Sequence, residues 1–180
     1  LRGLEHVPRL DLPPGEAAKD LATLARALDF FAAHELDRSA VVVTLGGGAT
    51  CDLGGFAASI YMRGIDVVHC PTTLLAQVDA SVGGKTAINL TAGKNLAGTF
   101  HQPHAVFADT EVLATLDPSE MRSGLGEVVK SALIAPPGLL ERLEQDVEAL
   151  LARDPGTLAE IVTSCVRLKA NVVAADERDF

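Results

Sequence analysis

The run Ala40-Val-Val-Val-Thr-Leu45, ending in Gly46-Gly47-Gly48, constrains the fold more than any other stretch of the chain. Three consecutive β-branched residues disfavour a helix and suit a strand buried on both faces of a parallel sheet. The glycines allow a sharp turn, and Asp52 and the helical stretch Leu53 to Met62 follow. Ile65 to His69, ended by Pro71, reads as a second strand and Ala105 to Ala108 as a third. Ahead of them, Ala17 to Ala33 repeats apolar residues at helical spacing through Leu21, Leu24, Ala25, Leu28 and Phe31. Strands alternating with helices imply right-handed βαβ units and an α/β fold.

The texture changes near Pro118. From there on only helical patterns appear: Ser119 to about Ile134, broken by Pro136-Pro137, then Gly138 to Leu151, then Pro155 to Ala175. Residues 1–117 are therefore expected to form most of an α/β domain, and 118–180 the beginning of an all-helical one. The chain opens at Leu1 without a Met and stops at Phe180 directly after a long helical pattern, so a fragment cut at both ends is expected.

Composition narrows the function classes. Hydrophobic residues make up 48% of the 180 and charged residues 22%, enough for a packed core. The net charge of −9 argues against nucleic-acid binding, which needs basic surface to displace counterions from phosphates. An acidic chain can still hold an anionic small molecule if a few Lys and Arg are gathered locally. No apolar run reaches the length of a membrane span. Cys51, Cys70 and Cys165 form no CxxC pair, which points to reduced thiols and a cytoplasmic location.

Three segments carry candidate chemistry. The glycine turn lies where a strand enters a helix, a place where backbone and helix N–H groups can approach a pyrophosphate. It is not a GxGxxG fingerprint, and a plain strand–helix turn is the alternative. Thr72-Thr73, Asp79, Gly83-Gly84-Lys85 and Gly93-Lys94-Asn95 form the densest polar stretch. Its lysines can meet a phosphate and Asp79 can accept from a hydroxyl, although a solvated connecting loop would look the same. In Gly126-Glu127-Val-Val-Lys130, Glu127 and Lys130 share one helix face. Spacing favours an ion pair there over a buried functional carboxylate. The five histidines form no HxxxH or HxH pair, so no complete metal site can be read.

Taken together, the blocks Gly46 to Phe56, Tyr61-Met-Arg63-Gly, Pro71 to Thr86, Gly93-Lys-Asn95, Gln102-Pro103, Gly124 to Lys130 and Ala174 to Arg178 resemble 3-dehydroquinate synthase, within the sugar phosphate cyclases. The resemblance runs through essentially the whole chain. It implies a Rossmann-like NAD-binding domain followed by the start of an all-helical metal-binding domain. NAD contacts then fall on Gly15, Glu16 and Lys19, on Gly48, Ala49, Thr50, Cys51 and Asp52, on Thr72 and Thr73, on Lys85 and Lys94, and on Val112, Leu113, Ala114 and Thr115. Lys85, Lys94, Asn95, Lys130 and Lys169 match substrate-binding positions. Arg63 matches an arginine that serves the neighbouring subunit, which implies a homodimer. Lys85, Asp79 and Lys130 match catalytic positions.

Glu127 matches the carboxylate ligand of a catalytic divalent metal, zinc or cobalt, whose two histidine ligands are expected beyond Phe180. The 180 residues alone are therefore expected to be inactive. Cys51 stands where many members have Gly. The implied reaction converts 3-deoxy-D-arabino-heptulosonate 7-phosphate into 3-dehydroquinate and phosphate in the shikimate pathway, with NAD taking and returning a hydride. Another sugar phosphate cyclase, a metal-dependent polyol dehydrogenase, or a non-catalytic NAD-binding remnant are the alternatives.

Overall fold

The computed structural model describes residues 6–135 and 137–178. A single 3-10 turn, Gly15–Ala18, precedes helix α1 (Leu21–Ala33). The helix begins later than the apolar repeat predicts because Asp20 caps it, its carboxylate accepting from the Thr23 N–H at 2.7 Å. Strand β1 (Val41–Gly46) leads through Gly47 into helix α2 (Gly48–Ile60), which starts one turn earlier than Leu53. Strand β2 (Asp66–Pro71) lies parallel to β1, and the two-residue β5 (Ala105–Val106) lies parallel to β2, giving the order β1-β2-β5.

The parallel α/β sheet agrees with the sequence reading, but the burial of β1 does not. Thr44 is buried under α2, whereas Val41, Val43 and Leu45 are about half exposed, at 48%, 55% and 57%. The strand is an edge, and among the described residues α2 is the element that packs on it, so one face is left uncovered. Under α2, Thr44 and His69 stand opposite each other in register, with the Thr44 hydroxyl 2.7 Å from His69 Nδ1.

The polar, glycine-rich stretch from Gly83 to Asn95, for which a connecting loop was the alternative reading, forms most of an antiparallel hairpin, β3 (Lys85–Leu90) and β4 (Gly93–Phe100). Its glycines serve close approach: a Cβ on Gly98 would fall 1.9 Å from the Thr86 carbonyl oxygen across the ladder. Between β2 and β3 the chain makes a π-helical turn, Ala76–Ala80, the kind of irregular helix that concentrates at functional sites.

Beyond β5 a 3-10 segment, Thr110–Thr115, leads into α3 (Pro118–Ile134), α4 (Leu139–Gln145), α5 (Val147–Leu151) and α6 (Pro155–Ala175). The stretch expected as one helix from Gly138 to Leu151 is split at Asp146, whose backbone leaves the helical region at φ −103° and ψ 13°. Helix α3 ends at Ile134 as expected, ahead of the proline pair, of which Pro136 itself lies outside the described residues. One apolar core joins α1, α2 and β3 around Phe31, Leu53 and Ile88; a second joins the Leu74–Val78 stretch to the helices through Leu113, Val128 and Leu158. Gly124 sets the second contact, since a Cβ there would lie 2.6 Å from Leu74 Cβ and 2.8 Å from the Leu75 backbone nitrogen.

Two expectations follow from this packing. Gly124→Ala forces α3 off the Leu74–Leu75 backbone and should destabilise the fold by about 1–3 kcal/mol, read from the urea midpoint. His69, 3% exposed, is held neutral mainly by burial and secondarily by nearby His101, its pKa lowered from 6.5 to about 4. The unfolded chain therefore binds a proton that the folded chain refuses. Stability is full above about pH 6.5 and declines as pH falls towards about 4, by up to about 3 kcal/mol. Urea titrations across that window should show the decline in the native protein and a shallower one in His69→Gln.

Candidate functional site

The carboxyl edge of the parallel sheet gathers the first group of candidate residues. The Thr72 N–H donates to the Gly46 carbonyl at 2.8 Å, fixing the exit of β2 against the glycine turn. Gly47 caps α2 without a side chain, so Gly48 and Ala49 present helix N-terminal backbone beside Thr72 and Thr73, while the Thr50 N–H donates to the Gly47 carbonyl at 3.0 Å. Cys51 turns inward, is 1% exposed, and has its thiol pushed up to about 12, chiefly by burial, so it offers this edge backbone only. Gln77 ties the edge to the next segment, its amide donating to the Pro71 carbonyl at 3.2 Å and the Asp109 carbonyl at 2.8 Å. In the Thr110–Thr115 turn the Leu113 side chain belongs to the core, whereas Ala114 and Thr115 are exposed and Val112 is half-buried.

The second group lines a cavity of about 520 Å³, walled by Asp52, Asp79, Lys85, Asn95, Lys169 and Arg178 among others. Asp79 projects from the π-helical turn and Lys169 from α6, and they form an ion pair at 2.7 Å. Lys85 opens β3. Lys94 does not join this group; its ammonium lies 3.9 Å from the Glu16 carboxylate, over a separate groove of about 790 Å³ bordered by Glu16, Lys19 and Asn89. Arg63 sits on an exposed turn after α2 with φ +70° and lines neither cavity.

Lys19 links the two cavities. It is 3% exposed, and its ammonium donates to Asp52 Oδ2 and to Asn95 Oδ1, each at 2.5 Å. Burial raises the Asp52 carboxyl above its ordinary value while the Lys19 ammonium pulls it back. Asn89 holds the neighbouring backbone: its N–H donates to the Lys19 carbonyl at 2.8 Å, its Oδ1 accepts from the Asn95 N–H at 3.0 Å, and its Nδ2 donates to Glu16 at 2.8 Å.

On α3, Glu127 and Lys130 form the ion pair that their spacing favours, and the Glu127 carboxylate holds the Lys130 ammonium above its ordinary value. Among the described residues no cluster of three or more His, Cys, Asp or Glu is arranged to hold a metal ion. Glu127 is thus one donor without the partners a metal needs. The sequence reading gave no site role to Gln77, Asn89 or Arg178, although Gln77 and Arg178 lie in the blocks that carry the resemblance. Gln77 lies within the dense polar stretch, but nothing in a single sequence separates an amide that bridges backbone segments from a solvated one.

Lys19→Met should leave the Asp52 carboxylate partly buried without its cation and cost about 3 kcal/mol of stability. Adding Asp52→Asn should recover most of that loss in urea denaturation, because the uncompensated charge is then gone.

Residues 9–123 match the 3-dehydroquinate synthase N-terminal family and residues 124–180 the 3-dehydroquinate synthase C-terminal family. A 3-dehydroquinate synthase of Bordetella pertussis is 52% identical over 175 residues, covering 97% of this chain and 49% of the relative. The chain therefore spans about half the length of the curated relatives it matches. Among solved structures, the 2-epi-5-epi-valiolone synthase of Streptomyces hygroscopicus, with NAD+ and Zn2+ bound, superposes with a TM-score of 0.88 at 32% identity, covering 93% of this chain and 48% of that one. A 2-deoxy-scyllo-inosose synthase complexed with carbaglucose-6-phosphate, NAD+ and Co2+ follows at 0.85 and 35%, covering 92% and 45%. Both family halves are met in order and half of the residues are identical to those of a curated member, so the chain belongs to the 3-dehydroquinate synthase family.

Proposed function

We propose that the protein carrying this chain is a 3-dehydroquinate synthase, a carbon–oxygen lyase that converts 3-deoxy-D-arabino-heptulosonate 7-phosphate into 3-dehydroquinate and phosphate. The observation that carries this reading is the convergence of Asp79, Lys85, Asn95 and Lys169 on one cavity beside the glycine turn. In a chain of net charge −9, cations gathered on a cleft suit an anionic substrate. Identity of 52% to a 3-dehydroquinate synthase favours this substrate over those of the cyclases matched at 32% and 35%. The division near Pro118 into an NAD-binding part and a helical part, the cytoplasmic location and the homodimer with Arg63 serving the partner's site belong to the same proposal.

The residues present fit NAD: the side-chain-free cap of α2 and the Thr72 and Thr73 hydroxyls offer donors to a pyrophosphate at the sheet's carboxyl edge. Bound there, NAD supplies reversible hydride acceptance at a substrate carbinol. Glu127, paired with Lys130, would be one carboxylate ligand of a divalent metal; among the described residues no group of three or more His, Cys, Asp or Glu could hold the ion by itself. The chain's own groups bind and orient. Lys85 and Lys169 attract the carboxylate and phosphate of the substrate. Asn95, whose oxygen is engaged by Lys19, has its amide N–H donors to offer an anionic oxygen. Asp79, held by Lys169, accepts from a substrate hydroxyl. Fixing the phosphate against the ring favours its elimination by orientation.

Phosphate release from the heptulosonate phosphate by the full-length protein, supplied with NAD and a divalent metal, tests the proposal. Lys85→Ala should lower the rate by about a hundredfold or more while circular dichroism stays unchanged. Wild-type protein that releases no phosphate from this substrate but acts on another sugar phosphate would instead favour a different cyclase.

A further inference from the structure

The hairpin register contains an irregularity at the point where Lys94 and Asn95 are displayed. Ile88 pairs with Ala97, but the next pair is Leu90 with Gly93. Asn89 on β3 therefore stands opposite Lys94, Asn95 and Leu96 on β4. A bulge of this kind leaves backbone donors without ladder partners and re-aims the side chains it carries. Asn95 also has φ +57°, a left-handed conformation that needs local support.

The support comes from Asn89. Its side-chain oxygen accepts from the Asn95 N–H, the donor the bulge releases. Its amide nitrogen donates to Glu16 and its backbone N–H donates to the Lys19 carbonyl. Both halves of the amide are thereby used, which fixes its orientation. Asn95 in turn places its own oxygen on Lys19. Without the Asn89 side chain, the Asn95 N–H loses its partner, and the bulge loses one of its ties to the Gly15–Ala18 turn, keeping the Lys94–Glu16 and Lys19–Asn95 contacts.

We propose that Asn89 is a positioning residue: it holds the β4 bulge so that the Asn95 amide faces the substrate cavity with its donors outward. This rests on the proposed substrate role of Asn95, and a double-mutant cycle in the full-length protein separates the two. Asn89→Ala should reduce kcat/KM for the heptulosonate phosphate by about tenfold or more. Asn89→Asp keeps the acceptor for the Asn95 N–H but sets a carboxylate against the exposed Glu16, so it should retain more of that efficiency than Asn89→Ala, though not all of it. In an Asn95→Ala background, adding Asn89→Ala should cost less than about threefold, because Asn89 acts through Asn95.

An impaired Asn95→Ala together with an Asn89→Ala of wild-type efficiency would overturn the proposal and leave the substrate reading intact. Fully multiplicative losses would overturn it in the same way. An Asn95→Ala enzyme of undiminished efficiency would remove the substrate role and the proposal with it. If Asn89→Ala does not fold, Asn89→Asp is compared with Asn89→Ser, whose shorter side chain cannot span the same distance. Asp should be the more active, and the reverse order would overturn the proposal.

Discussion

The buried ammonium of Lys19 is the interaction on which the arrangement of this molecule turns. A lysine at 3% exposure is tolerable only when its charge is matched and its donors are used. Asp52 supplies the countercharge and Asn95 a second acceptor. Those partners come from α2 and from the β3–β4 hairpin, while Lys19 follows the Gly15–Ala18 turn. One cation therefore fixes three chain segments far apart in sequence. It also sets the wall between the groove over Glu16 and the cavity holding Asp79 and Lys169.

The second constraint is the close contact of the helical region with the segment after β2. Gly124 lets α3 lie directly on Leu74 and Leu75, and Leu113, Val128 and Leu158 complete the core around them. The same segment continues into the π-helical turn that carries Asp79. Packing and chemistry are thus coupled: the apolar side of the segment anchors the helices, and its polar side meets Lys169 of α6. Gln77, fully buried, ties the turn to the Pro71 and Asp109 carbonyls. Such buried amide bridges keep the two sides in one geometry.

Electrostatics follow from the same placement. The chain is acidic as a whole, yet Lys85, Lys169 and Arg178 border one cavity with Asp52 and Asp79. A local excess of positive groups inside an acidic surface concentrates attraction where an anion can be held.

The sequence by itself determined the local alternation of strand and helix. Val41 to Leu45, the glycine turn and the prolines near the starts of α3 and α6 act over a few residues, and the ends of those two helices were legible for that reason, whereas the Asp20 cap that delays α1 was not read. The Glu127–Lys130 pair was legible too, because helix geometry alone puts residues three apart on one face. The ordered blocks of the chain carried its family. The tertiary structure alone decided which polar residues meet. The hairpin was hidden because Gly98 is chosen for contact with Thr86 across the ladder, not for local propensity. The half-exposure of β1 depends on what lies against the strand, which valine periodicity cannot report. Lys85, Lys94 and Asn95 look equivalent along the chain, yet the bulge opposite Asn89 separates Lys94 from the other two. Register, unlike propensity, is a property of two strands together, so no reading of either strand alone contains it.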